Sequence, residues 1–243
     1  WWAADAIGAR RALRILGFAA AALVLALLCG LTFNQTRRWQ NTQTLFTHTL
    51  EVAPRSAIAH KVLGLDYAKK GNYAEALDRF ERAHELNPRD RDSAFNLGAA
   101  LVKLGRPDDA IPWLNAAIAT YGKPADAYAS LGWALMQKGM TADAKATFAK
   151  ALELDADQLE ARINLGIAEG MLGNAQQAVD TLAEAARRAP DNPDARYNYG
   201  VALLNAGRAE EAVKQFEECL RIRPEFPDAA AILEQARAVA ANR

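Results

Sequence analysis

Two cysteines and three histidines are all that the 243 residues hold of the side chains most used for thiol, metal and general-base chemistry. Cys29 and Cys219 form no Cys-x-x-Cys pair, which excludes a disulfide framework and a cysteine-based zinc site. Cys29 lies in an apolar run and Cys219 at a helix position where the chain elsewhere repeats alanine, so both read as small packed residues. His48, His60 and His84 are not spaced as metal ligands and read as helix-surface or packing residues. No His-Glu-x-x-His, glycine-rich phosphate loop or Gly-x-Ser-x-Gly is present. The chain as given is therefore expected to carry no catalytic residue, metal or cofactor. Net charge is lacking too, with 29 basic against 29 acidic residues. The balance is uneven along the chain: Arg10, Arg11, Arg14, Arg37, Arg38 and Arg55 face only Asp5 and Glu51 in residues 1–55, which leaves the rest acidic. An acidic body cannot neutralise phosphates, and nucleic acid is excluded as a partner. Disorder is excluded as well, because 51% of residues are hydrophobic and only 24% charged.

What is present begins with one apolar run. Residues 15–33 (ILGFAAAALVLALLCGLTF) hold no charge. At about 1.5 Å per residue, such a helix matches the ~30 Å hydrocarbon core of a bilayer. The arginines on both sides suit headgroup positions, and no small-residue cleavage site follows as a signal peptide would need. A transmembrane helix is expected over 15–33. Three arginines before it and two close behind lean towards repeats on the non-cytoplasmic side of a plasma or bacterial inner membrane. The chain opens on Trp1-Trp2 without an initiator methionine, so a longer protein is expected, with 1–14 a loop or the end of a preceding region.

Beyond the run the sequence repeats itself every 34 residues. Gly64, Gly98, Gly132, Gly166 and Gly200 form one column and Gly71, Gly105, Gly139, Gly173 and Gly207 a second. Ala76, Ala110, Ala144, Ala178 and Ala212 make a third, followed by Phe80, Leu114, Phe148, Leu182 and Phe216. A small column closes each unit: Ala83, Ala117, Ala151, Ala185 and Cys219. A fixed period of this length is the mark of a solenoid. The columns resemble the tetratricopeptide repeat, which implies an all-α fold: a right-handed superhelix of five helix pairs over 57–90, 91–124, 125–158, 159–192 and 193–226. Residues 227–243 then read as a capping helix, since solenoids need a polar outer end. Subtracting 34 from the first unit aligns Trp39, Phe46 and Pro54 with Tyr73, Phe80 and Pro88, so 39–54 reads as a degenerate half repeat starting at the bilayer surface.

The columns have physical reasons of their own. Glycine in mid-helix costs about 1 kcal/mol relative to alanine, and five such positions imply close helix approach. The second glycine column suits a left-handed helix-terminating residue. Pro112 falls inside a second helix and is expected to kink it. Gly122 and Ala156 stand where other units close on proline, which makes the junction at 121–125 the least regular turn. Glu169 occupies a position that is Tyr67, Leu101, Leu135 or Leu203 elsewhere, and is expected to be partly exposed or paired with Arg162.

The resemblance also implies where a ligand would lie, because first helices of such repeats line a concave groove. By position that lining includes Phe95, Trp133, Met136, Ile163, Ile167, Tyr197 and Val201, with Asn96, Asn164 and Asn198 at its edge to hold a peptide backbone. Some of these side chains are expected to pack within the superhelix instead. The Asn needed to clamp a terminal carboxylate is missing from the row of Leu65 and Trp133, so an apolar extended or helical segment is the expected ligand. The function so implied is a membrane-anchored scaffold for other proteins or peptides. A second reading comes from residues 11–56, where a span followed by Arg37-Arg38-Trp39-Gln40 resembles the tail of polytopic, tetratricopeptide-containing O-mannosyltransferases. In that case the catalytic part lies outside this chain.

Overall fold

A computed structural model of the chain describes residues 23–29, 32, 39, 41–120 and 124–241. Most of the span expected over 15–33 lies outside them; within it, 23–29 and 32 are helical. No helix among the described residues is long and apolar enough to cross a membrane. Residues 121–123, in the junction expected to be the least regular turn, also fall outside the described residues.

Local signals set the helix starts. Asn41 opens α1 (Thr42–Val52) with a capping box, its Oδ1 accepting from the Thr44 amide at 2.9 Å. Ser56 caps α2 (Ala57–Lys69) in the same manner, accepting from the Ala59 amide at 3.3 Å. Ten further helices follow: α3 (Tyr73–Leu86), α4 (Ser93–Lys103), α5 (Pro107–Thr120), α6 (Pro124–Gln137), α7 (Thr141–Leu154), α8 (Leu159–Met171), α9 (Ala175–Arg188), α10 (Pro193–Asn205), α11 (Ala209–Ile222) and α12 (Ala229–Ala241). Pro193 heads α10 behind Asn192, whose Oδ1 accepts from the Ala195 amide at 2.8 Å.

The stops are set by glycine. Gly71, Gly105, Gly139, Gly173 and Gly207 all have positive φ, between 68° and 81°. At α6 the Gly139 amide donates to Met136 and the Met140 amide to Leu135, both at 2.9 Å, which is a Schellman closure. A Cβ on Gly139 would meet nothing within 4 Å, so the need for glycine there is purely conformational. Gly139→Ala is expected to lose about 1 kcal/mol and Gly139→Asn less, read from urea unfolding.

The glycines of the first column have the opposite reason. A Cβ on Gly132 would lie 2.6 Å from Cε1 of Phe148, a ring with no exposed surface. The same confrontation recurs as Gly64 with Phe80, Gly98 with Leu114, Gly166 with Leu182 and Gly200 with Phe216. Each pair therefore closes by seating an aromatic or leucine side chain directly on the glycine of its first helix. The alanine columns are buried around this contact, Ala110, Ala144 and Ala212 without residue.

Every helix packs on the next in chain order, and the first helices α4, α6, α8 and α10 also touch one another side by side. The core is accordingly a band along the solenoid, in three buried clusters centred on Phe80 and Leu114, on Phe148, and on Leu182 and Phe216. α1 packs on α2, and α12 packs on α11 with Leu233 and Ala236 buried in the last cluster. Helix α5 runs without interruption through Pro112, so that residue does not break it. Pro112 and Asp108 are both exposed, and the Asp108 carbonyl that an amide at 112 would have met can turn to water.

Glu169 differs from expectation. It is 6% exposed and buried, and its partner is not Arg162. Thr181 Oγ1 donates to its Oε2 at 2.7 Å and Lys145 Nζ lies 3.5 Å from Oε1. Arg162 instead donates to the Ala156 carbonyl at 2.6 Å, and burial lowers its pKa from the usual guanidinium value, helped by Arg188.

Candidate peptide-binding groove

The side-by-side first helices leave one face of the band uncovered, and α4, α6, α8 and α10 line an open cavity of about 770 Å³ along it. Its floor holds Phe95, Trp133, Ile163 and Ile167, with Ala99, Ala129 and Val102 between them. These positions are apolar for different reasons. Ile163 is buried against the α9–α11 core, whereas Phe95, Trp133 and Ile167 are half-buried and present one side to the opening.

The ten side chains expected to form the groove are thus divided. Phe95, Trp133, Ile163, Ile167, Asn164 and Asn198 come together on the lining. Asn198 has one amide hydrogen committed already, donating to the Asp194 carbonyl at 2.8 Å. Asn96, expected at the edge, is buried, with 9% of its surface exposed. Met136 packs against the Phe148 cluster and Val201 against the Phe216 cluster. Tyr197 is not on the cavity lining: it stacks on Phe226 with centroids 4.9 Å apart and meets Phe216 edge-on at 5.8 Å. Burial raises the Tyr197 phenol, and the Asp228 carboxylate adds to the rise, so it remains neutral.

The polar lining went unforeseen. Asp126, Glu160 and Asp194 sit at the same early position of α6, α8 and α10, and all three border the cavity. The signal lies in the sequence, as Asp92, Asp126, Glu160, Asp194 and Asp228 follow the 34-residue step. Apolar columns alone do not reveal it. Lys103 is the one cation on the lining among the described residues. Lys61, a groove position of the first unit, is held by Asp90 at 2.7 Å and Asp92 at 3.5 Å, and the Asp90 bond raises its pKa. Two amides tie one first helix to the next: Gln137 Nε2 of α6 donates to the Val102 carbonyl of α4 at 3.0 Å, and Gln158 Nε2, at the N-cap of α8, to Asp126 Oδ1 of α6 at 2.5 Å.

No group of three or more His, Cys, Asp and Glu able to hold a metal gathers among the described residues. A stack of helix pairs, each packed on the next, defines the class: an α-solenoid. Three family profiles described as tetratricopeptide repeat match the chain, over residues 61–130, 125–158 and 171–237. The chain belongs to the tetratricopeptide-repeat proteins. All three matches lie downstream of residues 11–56, so they lend no support to the O-mannosyltransferase resemblance expected there.

An uncharacterised protein of Methanocaldococcus jannaschii is 45% identical over 47 residues, which is 19% of this chain and 55% of that one. The match thus spans about half the length of that relative. Among solved structures, PilW, described as a widely conserved type IV pilus biogenesis factor, superposes with a TM-score of 0.71 at 19% identity. That alignment covers 84% of this chain and 96% of PilW. YrrB, described as a tetratricopeptide protein with an unusual peptide-binding site, gives a TM-score of 0.56 at 22% identity over 78% and 97% of the two chains. These likenesses establish the fold.

Proposed function

We propose that the chain is a membrane-tethered scaffold whose groove holds a polypeptide segment of a partner protein. The observation that carries the reading is the floor itself: Phe95, Trp133 and Ile167 keep an apolar side turned to an open cavity. Half-buried aromatic side chains in a concave site are the usual anchors of protein recognition. YrrB, a structural neighbour, is described as having a peptide-binding site, which supports the same use of the fold here. Tethering is supported by the uncharged run over 15–33 and by α1 beginning at Thr42, soon after it.

A photo-crosslinking residue placed at Ile167 is expected to form adducts that map to a linear segment of a partner. The same residue at Leu154, exposed but away from the groove, is expected to form none. Equal labelling from both positions would discard the groove. The repeats are proposed to lie outside the cytoplasm, so an epitope after Arg243 should be degraded by external protease in intact cells; protection would reverse the orientation. A second reading rests on the Arg37-Arg38-Trp39-Gln40 stretch after the apolar run. It makes the repeats the arm of a polytopic glycosyltransferase, and requires the reading frame upstream of Trp1 to encode further spans.

A further inference from the structure

We propose that the segment this groove receives is basic as well as apolar: an extended polypeptide with Lys or Arg recurring about every third residue. The proposal rests on the groove reading above and adds the chemistry of the occupant.

Along the apolar floor stand Asp126, Glu160 and Asp194, one from each of three successive first helices, with Lys103 as the lining's one cation among the described residues. Their charges are little used within the chain. Among the described residues Asp126 receives the neutral amide of Gln158 and enters no ion pair. Asp194 stands 3.4 Å from Arg223, with both about half exposed, a screened pair that a ligand cation can replace. Glu160 is exposed and enters no ion pair among the described residues. Asp92, by contrast, is engaged by Lys61, which ends the usable row at α6. A carboxylate also favours a helix N-terminus, but any first-turn position serves that purpose. These three share the position that opens on the cavity.

A second observation concerns the residue bonded to the first of these acids. Gln158 lines the cavity, and with its amide nitrogen committed to Asp126 its Oε1 is buried with no hydrogen-bond partner among the described residues. A guanidinium or ammonium in the cavity meets the Asp126 carboxylate and, once the Gln158 amide turns outward, this oxygen as well.

Geometry then sets the spacing. Packed helix axes are about 8–10 Å apart. A polyproline-II chain rises about 3.1 Å per residue with three residues per turn, so side chains i, i+3 and i+6 return to one side at about 9 Å intervals. One cation per turn therefore meets one acid per repeat, while the intervening side chains reach the floor of Phe95, Trp133 and Ile167.

The test is selection from a random twelve-residue peptide library on the full chain in detergent micelles, beside Asp126→Asn/Glu160→Gln/Asp194→Asn and Trp133→Ala. The wild type is expected to enrich apolar peptides with excess Lys and Arg at three-residue spacing. The triple variant should keep the apolar preference and lose the basic one. Apolar peptides without a basic excess, or a basic excess that survives the triple substitution, would overturn the proposal while leaving the groove intact. No enrichment over Trp133→Ala would remove the groove reading itself. Should the triple variant misfold, two labelled peptides on the wild type decide: four Arg-Leu-Pro units are expected to bind at least tenfold more tightly than four Glu-Leu-Pro units at 50 mM salt. That gap should shrink at 500 mM. Equal affinities would overturn the basic preference.

Discussion

Gly132→Leu is expected to melt well below the wild type. The added Cβ alone would stand 2.6 Å from Cε1, 2.7 Å from Cδ1 and 2.9 Å from Cζ of Phe148, and the ring is fully buried with no way out. Overpacking of this kind costs about 1–3 kcal/mol, and each kcal/mol shifts the midpoint of a chain this size by roughly 2–4 °C, so a fall of about 2–12 °C follows. Phe148→Ala alone should lose about 3–5 kcal/mol by leaving a cavity in the same place. Because both substitutions act on one contact, the double variant Gly132→Leu/Phe148→Ala should cost clearly less than their sum. Thermal unfolding of the four proteins closes the cycle. Additive losses would mean that glycine and ring do not face each other.

Lys145→Met is expected to be more damaging than Glu169→Leu, although both remove one charge from the same pair. Glu169 is the buried partner at 6% exposure, and Lys145 the cation 3.5 Å from it. Removing Lys145 strands a buried carboxylate with only the Thr181 hydroxyl, a change worth about 2–4 kcal/mol because the pair is partly open to water. Glu169→Leu restores the residue type of Leu101, Leu135 and Leu203 and leaves a lysine that can reach solvent and Gln177, so the loss should stay below about 1 kcal/mol. The double variant Lys145→Met/Glu169→Leu should recover most of the stability. Urea midpoints of the three variants measure the ordering, and the reverse ordering would show that Glu169 is not held by Lys145.

That pair shows how a repeat can be misread one column at a time. Glu169 alone in an apolar column suggested a solvent-facing acid or a bond to Arg162 in its own helix. Lys145 also breaks an apolar column, the one formed by Leu77, Ile111, Val179 and Val213. Two opposite charges replacing apolar residues in adjacent units identify each other, because neither could be buried alone. The polar edge of the groove was hidden in a similar way. An acid early in a helix has a local reason to be there, so the column through Asp126, Glu160 and Asp194 carries meaning only once its position opens on the cavity.

The starts and stops of the helices were determined by the sequence itself, because each rests on local rules. Glycine alone takes positive φ freely at Gly71 and its four equivalents, proline and asparagine start helices, and a 34-residue period cannot be satisfied except by stacking. The sequence also showed that Gly132 must lie close to something. Only the tertiary structure decided that this is the ring of Phe148, sixteen residues on, since which face of α7 turns inward depends on the angle between two helices. It likewise decided which apolar side chains serve the core and which the groove. Tyr197 and Phe95 stand at the same position in their units, yet Tyr197 is drawn onto Phe226 after the last pair while Phe95 faces the cavity. No rule within one repeat distinguishes them; the difference comes from what the neighbouring elements leave uncovered.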